Sequence, residues 1–217
     1  MNKRLFIVVE GQTEEEFVKD LMAPYFQEYG IYVSPTIVRT STRHKGGFVN
    51  YKHLRNDILR LLKSQRQDVI VTTFVDFFRC PELPNKESFI HIKDHHQRVE
   101  LMENAIREDI DDWRFIPYIQ LHEFEALLFS SNAGFEEYFS ETQNKELRNI
   151  IEEFDNPEEI NSNPENAPSK RLLKIVSDYE KVIYGNIIAL EIGIKSILDK
   201  CPRFRNWVKV LIERAQQ

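Results

Sequence analysis

Residues 4–17, RLFIVVEGQTEEEF, decide the fold. Their first half, Leu5 to Val9, is a continuous apolar run rich in β-branched and aromatic residues, typical of a strand buried on both faces of a parallel sheet. Glu10 ends this run, Thr13 is a candidate helix N-cap, and Glu14 to Glu16 favour a first helical turn, where carboxylates stabilise the helix dipole. The stretch therefore predicts a strand, a turn and a helix, with Glu10 at the strand's carboxyl end, where open α/β sheets bind ligands.

Composition restricts the class of protein. With 217 residues, 41% of them hydrophobic and 12% aromatic, the chain can bury one core and at most a small appended lobe. It contains neither a long uninterrupted apolar segment nor a signal-peptide pattern, so a soluble protein without a membrane span is expected. Two cysteines in dissimilar settings, Cys80 and Cys201, argue against a disulfide framework and favour the cytoplasm. The net charge of -6 restricts any nucleic-acid contact to a local surface.

Hydrophobic periodicity predicts alternating strands and helices in the first half of the chain. Further strands are predicted at residues 31–40, 69–75 and 115–121, with amphipathic helices between them. Pro35 favours an edge position for the second strand. Because strands separated by helices are typical of right-handed crossovers, the predicted fold class is α/β, with a mostly parallel, roughly four-stranded sheet.

The second half of the chain is predicted to be helical. Residues 124–129 begin a helix, residues 155–169 are rich in Asn, Pro and Glu and are predicted to be a surface linker, and Ser169 is a candidate N-cap. We expect residues 1–130 to form the α/β core and residues 131–217 to form a helical region that packs on this core, giving one domain overall.

Three of the four predicted strands end at a carboxylate, namely Glu10, Asp76 and Glu123. Because the carboxyl ends of parallel strands meet at one edge, these side chains are expected to lie together. Clustered carboxylates repel one another unless a cation neutralises them. Hard oxygen ligands of this kind predict Mg²⁺ or Mn²⁺, although a chance occurrence of acids after strands stays open.

A basic loop is expected at the same edge. Arg39, Arg43 and Lys45 follow the second predicted strand, and the glycine pair at residues 46–47 allows a close approach of the backbone. We predict that these cations contact the phosphates of a nucleic acid, with a solvated loop as the alternative.

Two other kinds of site are disfavoured. His91 and His95 have the spacing of a zinc-binding pair, but no further ligand lies near them in sequence, which favours a solvated helix start. The chain contains no glycine-rich dinucleotide motif and no Walker lysine, so it is not predicted to bind a nucleotide cofactor.

Several segments resemble known families. The Glu10-Gly11-x-x-Glu14 motif after a hydrophobic strand resembles the opening motif of Toprim domains in topoisomerases, primases and overcoming-lysogenization-defect nucleases, in which the first Glu acts at a magnesium site. Across nearly the whole chain, VVEGQTEEEFV, FVDFFRCP, FIPYIQLHEFEALLFS, APSKRL and IGIKSILDKCPRFRNWV resemble the bacterial domain-of-unknown-function family 4276, a Toprim-like group. The resemblance implies a Toprim-like core, a nuclease activity and an AAA or ABC-type ATPase partner in mobile-element or phage-defence loci.

The chain departs from the Toprim pattern at the second motif. The usual Asp-x-Asp is replaced by Asp76 followed by two phenylalanines, so one metal ligand is missing from its expected place. Glu123 or Glu125 would replace it. Glu123 is favoured because it lies nearer the strand end, whereas Glu125 would cap the helix or pair with Arg171.

The predicted function is that of a metal-dependent nuclease. Glu10, Asp76 and Glu123 would hold Mg²⁺ or Mn²⁺, Glu14 would support the site or act as a base, and Lys170 and Arg171 are further candidate site residues. A non-catalytic partner or sensor subunit of the ATPase is the alternative, and a phosphoacceptor domain using Asp76 is a third class. The sequence leaves a homo-oligomer open.

Overall fold

The computed structural model describes residues 3–38, 50–64, 69–76, 82–160 and 164–217. Its strands form a parallel sheet in the order β2-β1-β3-β4, and β5 also pairs with β3. The strands are β1 (Arg4–Val9), β2 (Tyr32–Ile37), β3 (Val69–Asp76), β4 (Phe115–Ile116) and β5 (Ile119–Gln120). This sheet, flanked by helices, confirms the predicted α/β fold class.

Helices make up most of the remaining described chain. The α-helices are α1 (Gln12–Phe17), α2 (Ala23–Gln27), α3 (Tyr51–Ser64), α4 (His95–Ile110), α5 (Ala133–Glu136), α6 (Glu141–Glu153), α7 (Pro168–Ile175), α8 (Lys181–Ile192), α9 (Ile194–Lys200) and α10 (Pro202–Gln216). A π-helical turn (Val18–Met22) joins α1 to α2, and 3-10 helices span Lys86–Ser88, Phe124–Ser130, Pro157–Glu159 and Pro164–Asn166. No helix in the described ranges has the length and apolar character needed to cross a membrane.

Two hydrophobic cores lie on opposite faces of the sheet. Along β1, Leu5, Ile7 and Val9 belong to one core, whereas Val8 belongs to the other. This alternation follows from the period of two residues in a strand, and it explains why a strand covered on both faces is apolar throughout. The first core contains α1 and the C-terminal helices, and the second contains α3 and α4.

The predicted unit of strand, turn and helix is present, but its details differ from the expectation. Gly11, not Thr13, is the N-cap of α1, and Thr13 is buried in the first turn. The helix expected after Glu14 is interrupted by the π-helical turn, and Pro24 follows in the first turn of α2. Irregular turns of this kind accommodate a proline that cannot donate a backbone hydrogen bond.

Prolines also lie at or beside the strands on both edges of the sheet. Pro35 lies in β2 at the edge of the sheet, as predicted. The single strand predicted at residues 115–121 is instead two short strands, since Pro117 has no N–H for the ladder. After it, the backbone N–H of Tyr118 donates to the Thr73 hydroxyl at 2.8 Å.

The C-terminal helix α10 packs directly on the sheet. Phe204 and Trp207 lie against Phe74 of β3, and the Trp207 ring stacks on Tyr118 with centroids 4.2 Å apart. The indole N–H of Trp207 donates to the hydroxyl of Thr72 at 2.9 Å. The CPRFRNW segment therefore has a structural role, because it supplies the aromatic contacts that hold α10 on the sheet.

The segment at residues 155–169 is not simply a surface linker. Glu158 is fully buried, and its carboxylate accepts hydrogen bonds from the backbone N–H groups of Arg203 at 2.8 Å and Phe204 at 3.1 Å. These groups belong to the first turn of α10, whose N–H groups have no partner within the helix. The prediction for Ser169 was also wrong, since the N-cap of α7 is Ala167 and Ser169 lies inside the helix.

Two glycines allow α8 to approach its neighbours closely. A Cβ atom at Gly134 of α5 would lie 2.6 Å from the carbonyl oxygen of Ile188, and one at Gly185 would lie 2.8 Å from Cγ2 of Thr13. We expect Gly134→Ala to lower the free energy of unfolding by about 1–3 kcal/mol, because the overpacking outweighs the helix propensity of alanine. Urea denaturation measures this change.

The exposed residue Glu137, at the end of the same helix, provides the control substitution. Glu137→Ala is expected to shift the free energy of unfolding by no more than about 0.5 kcal/mol. A Gly134→Ala variant as stable as the parent would contradict the close packing of α8 against α5.

Candidate functional site

The carboxyl ends of β1 and β3 bring two acids together. These strands are parallel neighbours, with Val9 paired to Phe74, so Glu10 and Asp76 emerge at the same edge. The backbone N–H of Asp76 donates to Oε1 of Glu10 at 2.7 Å. Oδ1 of Asp76 accepts from the backbone N–H of Phe124 at 2.9 Å, which attaches the segment after β5 to this edge.

Two further acids complete a buried cluster. Glu14 lies in the first turn of α1, and Glu125 lies in the first turn of the 3-10 helix Phe124–Ser130. Each of the four residues is at most 5% exposed. We call Glu10, Glu14, Asp76 and Glu125 the acidic cluster.

Lys181, the first residue of α8, places its ammonium among these acids. Its Nζ lies 2.8 Å from Oε1 of Glu14, 3.5 Å from Oε2 of Glu125 and 3.7 Å from Oδ2 of Asp76. It also lies 5.4 Å from the centroid of the Phe124 ring. Three carboxylates from three separate elements therefore converge on one cation.

Sequence reasoning missed Lys181, although the chain contains a signal for it. A cation in the first turn of a helix opposes the helix dipole. Residues 182–190 carry no charge, so this lysine does not belong to a general pattern of surface charge. Such a cation at a helix start indicates a nearby acid, but Asp178 and Glu180 lie close to it in sequence, and the sequence does not identify the distant acids as its partners.

Burial and the opposing attraction of Lys181 are the two largest influences on the pKa values of Asp76 and Glu125. Burial is the largest cause that raises the pKa of Asp76 well above its usual value, and Glu10 and Glu14 raise it further against the opposing effect of Lys181. Burial likewise raises the pKa of Glu125. Burial lowers the pKa of Lys181, but the three carboxylates outweigh it and the pKa rises well above its usual value. The carboxylates of the cluster therefore stabilise a positive charge placed among them.

Tyr179 places an unpaired hydroxyl beside the cluster. Its side chain is 7% exposed, and within the described ranges its hydroxyl has no hydrogen-bond partner. Burial raises the pKa of Tyr179, with a smaller contribution from Glu125, so the phenol stays protonated and keeps its donor. A buried donor without a partner costs free energy, which suggests that the hydroxyl serves a group that binds at the site.

Glu123 points to a different partner. Its Oε2 accepts a hydrogen bond from the backbone N–H of Ser169 at 3.0 Å, in the first turn of α7. The two glutamates differ because Glu123 is the extended N-cap of the 3-10 helix Phe124–Ser130, whereas Glu125 lies inside its first turn. Glu125 consequently faces Lys181.

The remaining predicted site residues lie elsewhere. Arg171 contacts the carbonyl oxygen of Asn166 at 3.0 Å and forms an ion pair with Glu153 at 3.6 Å, and Lys170 is exposed. The basic-loop residues Arg39, Arg43 and Lys45 lie outside the described residues.

The histidines do not form the spaced pair considered for zinc. His91 precedes α4 and is exposed. The His95 ring instead packs against the ring of buried His122, with 5.0 Å between the ring centroids. Burial, with a smaller effect of His95 and His96, lowers the pKa of His122 to about 3, so its ring is neutral at physiological pH. In the described part of the chain, no three His, Cys, Asp or Glu side chains are already arranged to hold a metal ion.

The sequence and structure of this chain were compared with those of known proteins. A search of curated proteins finds no match. The C-terminal region of the Burkholderia pseudomallei OLD protein is 14% identical, with a TM-score of 0.49, over 99% of this chain and 100% of that one. The C-terminal region of the Xanthomonas campestris pv. campestris OLD protein is 12% identical, with a TM-score of 0.39, over 95% and 97% of the two chains. Since the model of the domain of unknown function DUF4276 matches residues 9–212, the chain belongs to that family, as its motifs predicted.

Proposed function

We propose that the chain is a metal-dependent phosphodiesterase that cleaves nucleic acid. The observation that carries the proposal is the convergence of three buried carboxylates, those of Glu14, Asp76 and Glu125, on the ammonium of Lys181 at the carboxyl edge of a parallel sheet. Ligand sites of open α/β sheets occur at this edge. Glu10 supports the same edge through its hydrogen bond to the backbone of Asp76.

The donor chemistry of the cluster fits a hard divalent cation. All of its ligand atoms are carboxylate oxygens, the type that Mg²⁺ and Mn²⁺ prefer, and it contains no sulfur or imidazole ligand that would favour zinc. Glu10, Glu14, Asp76 and Glu125 would hold the ion, and Glu123, the ligand expected from the sequence, is the alternative to Glu125. When bound, such an ion activates water and stabilises charge on phosphate oxygens.

Other residues of the chain would act on the phosphate. Lys181 supplies an ammonium that can neutralise charge developing on a phosphate oxygen, and the hydroxyl of Tyr179, which has no partner among the described residues, can bind another oxygen beside it. Glu14, which already accepts from the Lys181 ammonium, would act as the base or support the ion. Arg39, Arg43 and Lys45 are proposed to hold the phosphate backbone.

The ATPase partner and a role in phage defence are also proposals, and they rest on the family resemblance. The alternative is a non-catalytic partner or sensor subunit of that ATPase. One feature favours this alternative, because Lys181 already compensates part of the cluster charge without a metal ion.

A matched pair of variants tests the catalytic proposal. The purified protein is incubated with labelled single- and double-stranded DNA and RNA, with Mn²⁺ or with EDTA. We expect cleavage with Mn²⁺ alone, and we expect Glu125→Gln to lower its rate by roughly 10²-fold or more through the loss of a charged ligand. Glu123→Gln should instead reduce the free energy of unfolding by about 1 kcal/mol, because its carboxylate stabilises the first turn of α7.

Each outcome decides a separate point. Cleavage that survives in Glu125→Gln and disappears in Glu123→Gln would show that Glu123, and not Glu125, is the metal ligand. The absence of cleavage of every substrate by the parent, alone and with its ATPase partner, would favour the non-catalytic alternative.

A further inference from the structure

We propose that Lys181 is the resident cation of the acidic cluster and that a divalent metal ion binds there by displacing its ammonium. This inference rests on the proposed metal site and adds a means of regulating it. In the metal-free protein the ammonium holds the carboxylates together. In the metal-bound protein the same lysine is released from the carboxylates.

The distances around Nζ support direct competition. Oxygens of Glu14, Glu125 and Asp76 surround the ammonium at 2.8, 3.5 and 3.7 Å. Mg²⁺ takes its oxygen ligands at about 2.0–2.1 Å, so these carboxylates would have to close around the ion. Two cations at such close range repel each other, so an ion held by these carboxylates weakens their contacts with the ammonium.

The position of Lys181 allows its side chain to leave while the helix stays in place. The side chain is 28% exposed, although the carboxylates that it contacts are buried. Farther along α8, Asn186 donates to Oδ2 of Asp20 at 2.7 Å, and Gly134 and Gly185 give the helix close contacts on two sides. The flexible four-carbon stem of the lysine can therefore reorient while the backbone of α8 remains fixed.

Tyr179 provides an independent observation. Its hydroxyl lies 3.7 Å from the position that a Cβ at Gly185 would take, one helical turn after Lys181. This buried hydroxyl has no partner in the described chain, and its oxygen can accept a hydrogen bond from a displaced ammonium. The cluster thus has a polar group beside it that the metal-free arrangement does not use.

Mn²⁺ binding to Lys181→Met is the first test, because methionine keeps the length of the side chain and removes its charge. By calorimetry and Mn²⁺ electron paramagnetic resonance, we expect the variant to bind Mn²⁺ at least about tenfold more tightly than the parent. Lys195→Met is the matched control, since Lys195 is exposed and lies in α9, outside the cluster. Its Mn²⁺ affinity should stay within about twofold of the parent value.

A second test uses the unmodified protein, so it does not depend on the folding of a variant. Acetylation of lysines by an N-hydroxysuccinimide ester, read by mass spectrometry of peptides, reports how well the reagent reaches each amine. Saturating Mn²⁺ should increase the labelling of Lys181 several-fold and leave that of Lys195 unchanged. Equal Mn²⁺ affinity in the parent and Lys181→Met, unchanged labelling of Lys181, or no Mn²⁺ binding to either protein would overturn the inference.

The two proposals fail in different ways. If Mn²⁺ affinity and labelling change as expected but no nucleic acid is cleaved, displacement stands and the nuclease proposal fails. If Mn²⁺-dependent cleavage occurs without any change in the labelling of Lys181, the nuclease proposal stands and displacement fails.

Discussion

Asp76→Asn is expected to abolish Mn²⁺-dependent cleavage, with a loss of roughly 10³-fold or more in rate. Asp76 lies at the centre of the site, because it contacts the backbone of Phe124, the ammonium of Lys181 and, through its own N–H, Glu10. Asparagine keeps the oxygen that accepts from Phe124 but loses the charge that a metal ion requires. Single-turnover cleavage measures the loss, and circular dichroism checks that the fold is retained.

The same substitution should not destabilise the metal-free protein at neutral pH. Burial, and then Glu10 and Glu14, raise the pKa of Asp76 in the folded chain. The stability that this group contributes is therefore fully present below its unfolded pKa, near 3.9, and is lost as the pH rises through the raised folded value. In EDTA, scanning calorimetry should give Asp76→Asn a melting temperature equal to or above that of the parent at pH 7, with the difference shrinking toward pH 4. An Asp76→Asn variant that melts well below the parent at pH 7 would make Asp76 a structural residue.

Glu158→Ala is expected to cause the largest loss of stability, about 3 kcal/mol in the free energy of unfolding. The carboxylate is 0% exposed and accepts from the backbone N–H groups of Arg203 and Phe204 at the start of α10. Alanine would leave both donors without their partner inside the protein. Equilibrium urea denaturation measures the change.

Glu158→Gln separates the hydrogen bonds from the charge. Glutamine keeps one acceptor oxygen and nearly the same volume, so its loss should be smaller, about 1 kcal/mol. If Glu158→Ala unfolds at the same urea concentration as the parent, the segment around Glu158 is an ordinary surface linker, as its composition suggested.

The central strands of the sheet were predictable because their environment selects a narrow range of residues. Both faces of β1 and β3 are covered, so most of their residues are apolar, and the acids at their ends stand out. The edge position of Pro35 followed from its missing N–H. The break at Pro117 could have been predicted by the same reasoning, but the apolar residues on both sides of it concealed the break.

The rest of the site depends on contacts that local sequence does not encode. Lys181 reaches the cluster only through the packing of α8 on α1 and the 3-10 helix Phe124–Ser130. The choice between Glu123 and Glu125 depends on the start of the 3-10 helix at Phe124, which the sequence locates only approximately. The composition of residues 155–169 likewise gave no sign that Glu158 would be buried under α10.

The contacts of α8 with residues far away in sequence affect when the site can form during translation. Asn186 and Asp20 are 166 positions apart, and the same helix delivers Lys181 to acids that were synthesised much earlier. During translation, the carboxylates of the N-terminal strands emerge while their ammonium partner has not yet been polymerised, and contacts that close such large loops form slowly. A nascent chain therefore contains these acids before their lysine, and the pocket is complete only after α8 has been synthesised.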